Sequence, residues 1–262
     1  MVVREVAEVL ANSVYAVALT GAGVSTESGI PDFRGPSGIW TRDPEAERRA
    51  YEVYDKFLRN PVEYWMESVK SPIRDAIERA EPNPSHYALA ELEKMGILKC
   101  IITQNVDNLH QKSGSQNVID FHGNVSKLRC LKCGRRYPRD MFDIPKILEE
   151  GKIPLCECKY PLKSDVVYFN EPIPQDVYTR SVEEVVKCDV MIVAGTSAVV
   201  YPAAQLPRIA KNKPLPASVV EINAEPTPLT VEGISDYFIQ GKTGEVLPRI
   251  VEEVKKFLAK YK

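Results

Sequence analysis

Five short runs dense in β-branched residues constrain this chain more than any other feature. They are VYAVALT (14–20), KCIITQN (99–105), DVMIVAG (189–195), SVVEIN (218–223) and YFIQG (237–241). Runs that stay apolar without alternating suit parallel strands buried on both faces. Stretches with helical spacing lie between many of them. The opening residues put Val2, Val6, Val9 and Leu10 on one stripe. PSHYALAELEKMG (84–96) has Asn83 to cap it, Pro84 at its first position and Gly96 to stop it. YTRSVEEVVKC (178–188) leads into the third run. The tail, GEVLPRIVEEVKKFLAKYK, gathers Val246, Leu247, Ile250, Val251, Val254, Phe257 and Leu258 on one face, with lysines toward the negative end of its dipole. This alternation implies an α/β fold, a doubly wound parallel sheet of Rossmann-like form, with its ligand beyond the carboxyl ends of the strands.

Two segments interrupt the alternation. Residues 38–82, including EAERRAYEVYDKFL and VEYWMESV, are charged, aromatic and helix-like, and read as a helical insertion. Residues 123–165 hold four cysteines and many basic residues, and read as a second insertion. The expected division is a main nucleotide-binding domain of 1–37, 83–122 and 166–262, with the two insertions forming a smaller domain. At 262 residues and a formal net charge of −2, the chain has the balance of an ordinary globular protein, with no overall signature of a nucleic-acid binder. It has no apolar run of membrane-spanning length, and Glu5 and Glu8 break any leader-like core. A cytoplasmic protein is expected, or a nuclear one in a nucleated source.

The cysteines carry the next signal. Cys130 and Cys133 form a Cys-x-x-Cys knuckle followed by Gly134, and Cys156 and Cys158 form a tighter pair after residues 134–155. Without an export signal, four thiols in two close pairs point to a tetrahedral structural zinc ion rather than disulfides. No neighbouring histidine or carboxylate offers an open catalytic position. Cys100 and Cys188 adjoin strands and read as core residues. The basic stretch KLRCLKCGRRYPR raises nucleic-acid binding, but Tyr137 alone does not make a stacking platform, so a solvated face around a metal module is expected.

The first run ends in LTGAGVSTESGIPDFRG. Gly21 and Gly23 would let backbone amides come close to a phosphate. The next glycine, Gly29, comes too late for the simple dinucleotide fingerprint, and no acidic residue closes a second strand at the usual distance. Asp32, Phe33 and Arg34 follow as a charged and aromatic cover for the same pocket. At the end of the second run, Gln104, Asn105 and Asp107 place two amides and a carboxylate where the ligand should lie. Taken singly, Asn105 is an ordinary strand-end turn residue and Asp107 an ordinary cap. Three histidines occur. His86 reads as structural, His110 as a support for the Asn-Val-Asp run, and His122 ends a short strand-like stretch, VIDF, where an imidazole is suited to proton transfer.

Together GAGVSTESGIPDFRG, TQNVDNLH, FHGN, the paired cysteines, GTS (195–197), VVYPAA (199–204) and EIN (221–223) resemble the sirtuin family of NAD-dependent protein lysine deacylases, in the family's order, from about residue 4 to 258. The resemblance implies that NAD binds between the two domains. Ala22, Gly23 and the loop to Arg34 would contact the pyrophosphate and the nicotinamide-side ribose, Phe33 shielding the ribose face after nicotinamide leaves. Asn105 and Asp107 would line the nicotinamide pocket, with Ile30 contacting the carboxamide, and Gln104 would hold the ribose. Gly195, Thr196, Ser197, Asn223 and Glu225 match the adenosine half, and Lys242 and Thr243 lie near adenine. His122 would be the general base in transfer of the acyl group to ADP-ribose through an alkylimidate. An acetyl-lysine protein or peptide would enter as an extended strand between DVVYFNE (165–171) and VVYP (199–202), with Val167, Phe169 and Val200 around the lysine stem.

This chain departs from the family pattern at three places. Asn108 and Asn170 stand where glycine is usual, and the second cysteine pair is one residue short. Asparagine tolerates a left-handed backbone, so the turn at Asn170 should survive. Members that take acidic acyl groups carry Tyr-x-x-Arg after the helical-module tryptophan; Trp65 is followed by MESVKS, with Ser68 and Ser71 at those positions, which favours acetyl or another uncharged acyl group. Three rival readings are mono-ADP-ribosyl transfer to protein, an NAD-dependent oxidoreductase, and a non-catalytic zinc-ribbon binding module.

Overall fold

The computed structural model describes residues 2–35 and 38–260. The boundary expected at 37/38 and the last two residues of the tail lie outside them. Nine strands occur among the described residues: β1 (Ala16–Thr20), β2 (Leu98–Thr103), β3 (Val118–Asp120), β4 (Lys127–Cys130), β5 (Arg136–Pro138), β6 (Leu162–Ser164), β7 (Val190–Ala194), β8 (Ser218–Asn223) and β9 (Tyr237–Gln240). Six form one sheet in the order β3-β2-β1-β7-β8-β9, every pairing parallel. That is the doubly wound order, reversing direction between β1 and β7, and the crevice at such a reversal is where ligands bind.

All five expected strands are present, with β8 matching its expected span. β1 starts later than expected. Val14 is exposed, and the Asp189 carboxylate holds this entry by accepting from the amides of Val14 at 2.7 Å and Tyr15 at 3.1 Å. The sixth strand is the short stretch ahead of His122, paired to the edge of β2. β1 and β7 are buried at every residue, because helices cover both faces. One face packs on the helices Val2–Ala11, Pro84–Lys94 and Thr243–Ala259, the other on Gln175–Lys187 and Leu206–Asn212. Asn83 caps its helix as expected: its side chain accepts from Ser85 N at 2.9 Å, and His86 Nδ1 accepts from Asn83 N at 3.2 Å. Cys100 and Cys188 lie in the core.

The two insertions meet in a separate core. Helices Pro44–Arg59 and Pro61–Ser68 contribute Phe57, Tyr64 and Trp65; the antiparallel sheet β5-β4-β6 and its connections contribute Leu128, Ile144 and Leu162. Trp65 Nε1 donates to Leu162 O at 2.8 Å, joining the helices to β6. No helix among the described residues is long and apolar enough to cross a membrane.

Beneath the segment after β6 lies a buried charge network that the sequence did not announce. Lys163, fully buried, donates to the carbonyls of Ser164 (2.7 Å) and Val166 (2.6 Å) and sits 3.2 Å from Glu171. Glu171 also pairs with Arg129 and accepts from Tyr168 N at 3.1 Å, while Asp165 lies 3.3 Å from Arg129 and 3.2 Å from Arg136. Burial brings the Lys163 ammonium down to about 8, against the opposing pull of Glu171. These ties set the path of residues 164–171. Glu171→Gln removes a buried partner of two cations, so it should cost about 3–5 kcal/mol of unfolding free energy, read from urea denaturation at pH 7. An unchanged midpoint would show the network to be energetically idle.

Candidate functional site

A cleft of about 1780 Å³ runs along the carboxyl ends of β1, β2 and β7 and between the sheet and the two insertions. Its walls hold nearly all the expected site residues: Gly21, Ala22, Gly23, Ile30, Asp32, Phe33, Arg34, Gln104, Asn105, Asp107, His122, Val167, Phe169, Gly195, Thr196, Ser197, Val200, Asn223 and Glu225. Lys242 and Thr243 are not on the wall. Thr243 is buried, its hydroxyl bonded to that of Ser85 at 2.8 Å.

The loop glycines have a different reason from the one the sequence suggested. A Cβ on Gly21 would stand 2.7 Å from Thr196 Cβ, and one on Gly23 would stand 2.8 Å from Gly195 Cα. Their amides are engaged as well, Gly21 with Ala194 O at 3.1 Å and Gly23 with Gly195 O at 2.8 Å. The missing side chains let the ends of β1 and β7 touch, so these two amides are not phosphate donors. Among the described residues the amide of Ala22, between them, has no protein acceptor and lies in the cleft wall.

Next to this contact is a compact polar cluster. Asn105 Nδ2 donates to Gly21 O and to Ser25 Oγ, both at 3.0 Å, and Ser25 Oγ donates to Asp107 Oδ2 at 2.6 Å. Asp107 Oδ1 also accepts from Leu109 N at 3.0 Å, so this carboxylate caps a turn and serves the cluster at once. Burial raises the Asp107 carboxyl, with the Ser25 bond opposing. Buried Ser25 was not singled out from the sequence; its only signal was a small polar residue inside a glycine loop. Asn108 takes φ 67°, and Asn170 takes φ 65°, so both asparagines keep the left-handed backbone that glycine would adopt. Among the described residues the His110 side chain makes no hydrogen bond to the Asn-Val-Asp run. Its Nε2 lies 2.9 Å from Thr20 Oγ1, which bonds Thr103 Oγ1 at 2.9 Å, and Thr103 Oγ1 accepts from Asn105 N at 3.1 Å. The support is therefore relayed. Burial holds His86 at about 4 and His110 at about 3, so both are neutral structural rings.

His122 is placed by backbone on both sides. Its Nδ1 lies 3.2 Å from Gln104 O; a carbonyl only accepts, so Nδ1 carries the proton and Nε2 keeps a lone pair. Its carbonyl accepts from Val167 N at 2.8 Å. Gly123 has φ 77°, and a Cβ there would overlap the Asp165 carbonyl, so glycine is needed for this approach. Burial lowers the imidazole below its ordinary 6.5, and the Gln104 carbonyl recovers part of the shift. The side chain of Gln104 reaches Thr196 Oγ1 at 2.9 Å. Over the cleft, Phe33 meets Trp40 at 4.8 Å between centroids, Trp40 meets Phe169 at 5.4 Å, and Tyr51 meets Phe169 at 4.5 Å. This aromatic strap connects the glycine loop to the segment after β6. The site can hold an extended nucleotide and offers one neutral base beside it.

Outside the cleft, the sulfurs of Cys130, Cys133, Cys156 and Cys158 all lie within 4.8 Å of one another, with Cys130–Cys158 and Cys133–Cys156 each at 3.5 Å. A tetrahedron with ~2.3 Å metal–sulfur bonds has edges of about 3.8 Å, so the four thiols fit one structural zinc ion.

Residues 21–202 match the model of the Sir2 family. The chain is 49% identical over 254 residues to NAD-dependent protein deacylase 2 of Pyrobaculum aerophilum, covering 97% of this chain and 96% of that protein. Among solved structures it resembles a Sir2 homologue–NAD complex, at 43% identity and TM-score 0.79, covering 97% of this chain and 94% of the other. It also resembles Sir2Af2 bound to a myristoylated histone peptide, at 41% identity and TM-score 0.70, covering 98% of both.

Purified protein should carry one zinc per chain. Stripping it with a chelator should loosen the sheet β5-β4-β6 and the Trp65–Leu162 tie, shifting tryptophan emission to the red in a Trp40→Phe background. Folded, metal-free protein with unshifted emission would contradict the site.

Proposed function

The chain belongs to the Sir2 family, and from that premise we propose that it is an NAD-dependent protein lysine deacylase working at the cleft beside His122. The observation that carries this reading is the imidazole held in one tautomer by the Gln104 carbonyl, with its lone-pair nitrogen on a ring that lines the cleft. Bound NAD supplies a sugar–base bond whose cleavage frees nicotinamide and leaves ADP-ribose to accept the acyl group.

The residues of this chain would do the following. Asn105 and Asp107, locked through Ser25, line the pocket for nicotinamide with Ile30. Ala22 presents its amide to the pyrophosphate, and Gly21 and Gly23 hold that amide in place by close packing. Asp32, Phe33 and Arg34 cover the ribose, with Phe33 excluding water from its exposed face. Gln104, Thr196 and Ser197 bracket the ribose and phosphates. Gly195, Asn223 and Glu225 receive the adenosine half, where Asn223 Nδ2 donates to Glu225 O at 2.9 Å. Lys242 and Thr243 act from behind this wall. His122 takes the proton of a ribose hydroxyl, a role worth ~10²–10⁴-fold in rate. The acyl-lysine peptide pairs as an extended strand with residues 165–171 and 199–202, its stem between Val167, Phe169 and Val200.

The domain division that goes with this reading is 1–37, 83–122 and 166–262 for the NAD-binding part, with 38–82 and 123–165 as the smaller part holding one zinc. A thiolate zinc site implies a reducing compartment, so we place the protein in the cytoplasm.

Incubation with NAD and an acetyl-lysine peptide should give free nicotinamide, deacetylated peptide and acetylated ADP-ribose. ADP-ribose on protein instead would favour the transferase alternative, and hydride transfer without nicotinamide release an oxidoreductase. His122→Ala should keep NAD binding but lose turnover by about 10²-fold or more; wild-type turnover would refute its role.

The pH dependence follows from burial. His122 acts in its neutral form, and its folded value lies below 6.5, so activity is retained as pH falls through 6.5 and is lost only at lower pH. A kcat/KM profile for the acetyl peptide with its acid inflection above 6.5 would contradict that environment.

A further inference from the structure

Lys163 stands behind the wall of the cleft, with its side chain fully buried. It is the middle residue of β6, opposite Arg129 in the small antiparallel sheet. Leu162 before it belongs to the apolar core of the two insertions. Side chains alternate along a strand, so Lys163 leaves the sheet on the other side. A buried ammonium–carboxylate pair stabilises a fold little more than well-packed apolar residues of similar volume would. What the pair supplies at this strand end is geometry.

Lys163 Nζ donates to Ser164 O at 2.7 Å and to Val166 O at 2.6 Å, and Glu171 is its third partner at 3.2 Å. The two carbonyl oxygens can be no further apart than these two bonds laid end to end, about 5.3 Å, whereas an extended strand would space them about 6.6 Å. The ammonium therefore bends the chain out of β6 at Ser164, its last residue. The groups that follow are fixed in turn. Val167 N donates to His122 O at 2.8 Å, and Tyr168 N donates to Glu171 at 3.1 Å. Arg129 holds Glu171 from the neighbouring strand, and the Lys163 ammonium lies 5.0 Å from the centre of the Tyr168 ring. Val167 and Phe169, which line the cleft, thus take their places from a residue behind the wall.

We propose, on the deacylase reading above, that Lys163 is a positioning residue for the acyl-lysine peptide: by holding the carbonyls of Ser164 and Val166 inward, it shapes the edge on which the extended substrate backbone pairs. It touches neither substrate nor cofactor. Main-chain hydrogen bonds supply the affinity in this mode of binding, so the direction of each backbone group along the edge matters more than the side chains there. Without the ammonium, the two carbonyls lose their donors and the bend after Ser164 loses its cause. The NAD side of the cleft rests on bonds among Gly21, Ser25, Asn105 and Asp107, in which Lys163 has no part. Peptide binding should therefore depend on Lys163, and NAD binding should not.

The test uses zinc-loaded protein and measures NAD binding by calorimetry, binding of a labelled acetyl-lysine peptide by fluorescence anisotropy, and then kcat and KM. Lys163→Met, which keeps the volume and removes the donors, should raise the peptide Kd and KM about tenfold, with kcat and the NAD Kd changed less than about threefold. Lys163→Arg, which keeps charge and donors, should recover most of that loss. A folded Met variant with unchanged peptide KM, a parallel loss of NAD and peptide affinity, or an Arg variant no better than Met would overturn the assignment. If the single Met variant does not fold, Lys163→Met combined with Glu171→Gln removes one charge of each sign and carries the same test. Failure of both to fold would make Lys163 a residue of stability alone and overturn the assignment as well. A wild type that binds NAD and the peptide but releases no nicotinamide would refute the deacylase reading instead, and the anisotropy comparison would still decide the role of Lys163 at the peptide edge.

Discussion

The contact on which the site depends is between two backbone turns. Gly21 and Gly23, at the end of β1, pack against Gly195 and Thr196, at the end of β7, closer than any side chain would allow. Because β1 and β7 flank the reversal of a doubly wound sheet, this contact forms the floor of the crevice. It also sets the direction of the loop that follows, and so the positions of the Ala22 amide, Ser25, and the cover residues Asp32, Phe33 and Arg34. Asn105 then ties β2 to the same floor through Gly21 O and Ser25 Oγ. Three strand ends are thus held together by short polar contacts with little side-chain freedom, which is how a site gains precision without bulk.

The opposite wall is held by different means. In the segment after β6, Tyr168 and Phe169 pack against aromatic neighbours, and the backbone is held by the ammonium of Lys163 and the carboxylate of Glu171. Both side chains are taken out of water, which is costly unless each charge is fully paired. The pairing of Glu171 with Arg129, on the strand that carries Cys130, couples this wall to the cysteine-bearing insertion. A change in the metal module would therefore be felt at the segment after β6, although among the described residues no cysteine lines the cleft. The aromatic strap from Phe33 to Tyr51 is the second bridge across the opening, and it is built from contacts between insertion and loop.

Much of this was readable in advance. The strand runs, the capped helix at Asn83 and the paired cysteines each depend on local spacing, and each is present where spacing put it. The residues of the NAD-side cluster stood out as amides, a carboxylate and an imidazole at strand ends. Some features were not readable, each for a physical reason. Ser25 was not singled out, because its bond to Asp107 joins residues far apart in sequence. Lys163 was not singled out, because its partners, the carbonyls of Ser164 and Val166 and the Glu171 carboxylate, converge on it only through the folded path of that segment. His110 acts through two threonines rather than on its neighbours. The loop glycines were singled out for free amides, yet those amides are bonded and the need is steric.

The sequence by itself determined the alternation of strands and helices, the two insertions, the tetrathiolate set and the chemistry available at the strand ends, because periodicity, caps and ligand spacing are local properties of the chain. Only the tertiary structure decided which groups are paired and which are left over. Burial and charge compensation arise only once the chain is folded: this is why His122 has one fixed tautomer and why Lys163 can be buried.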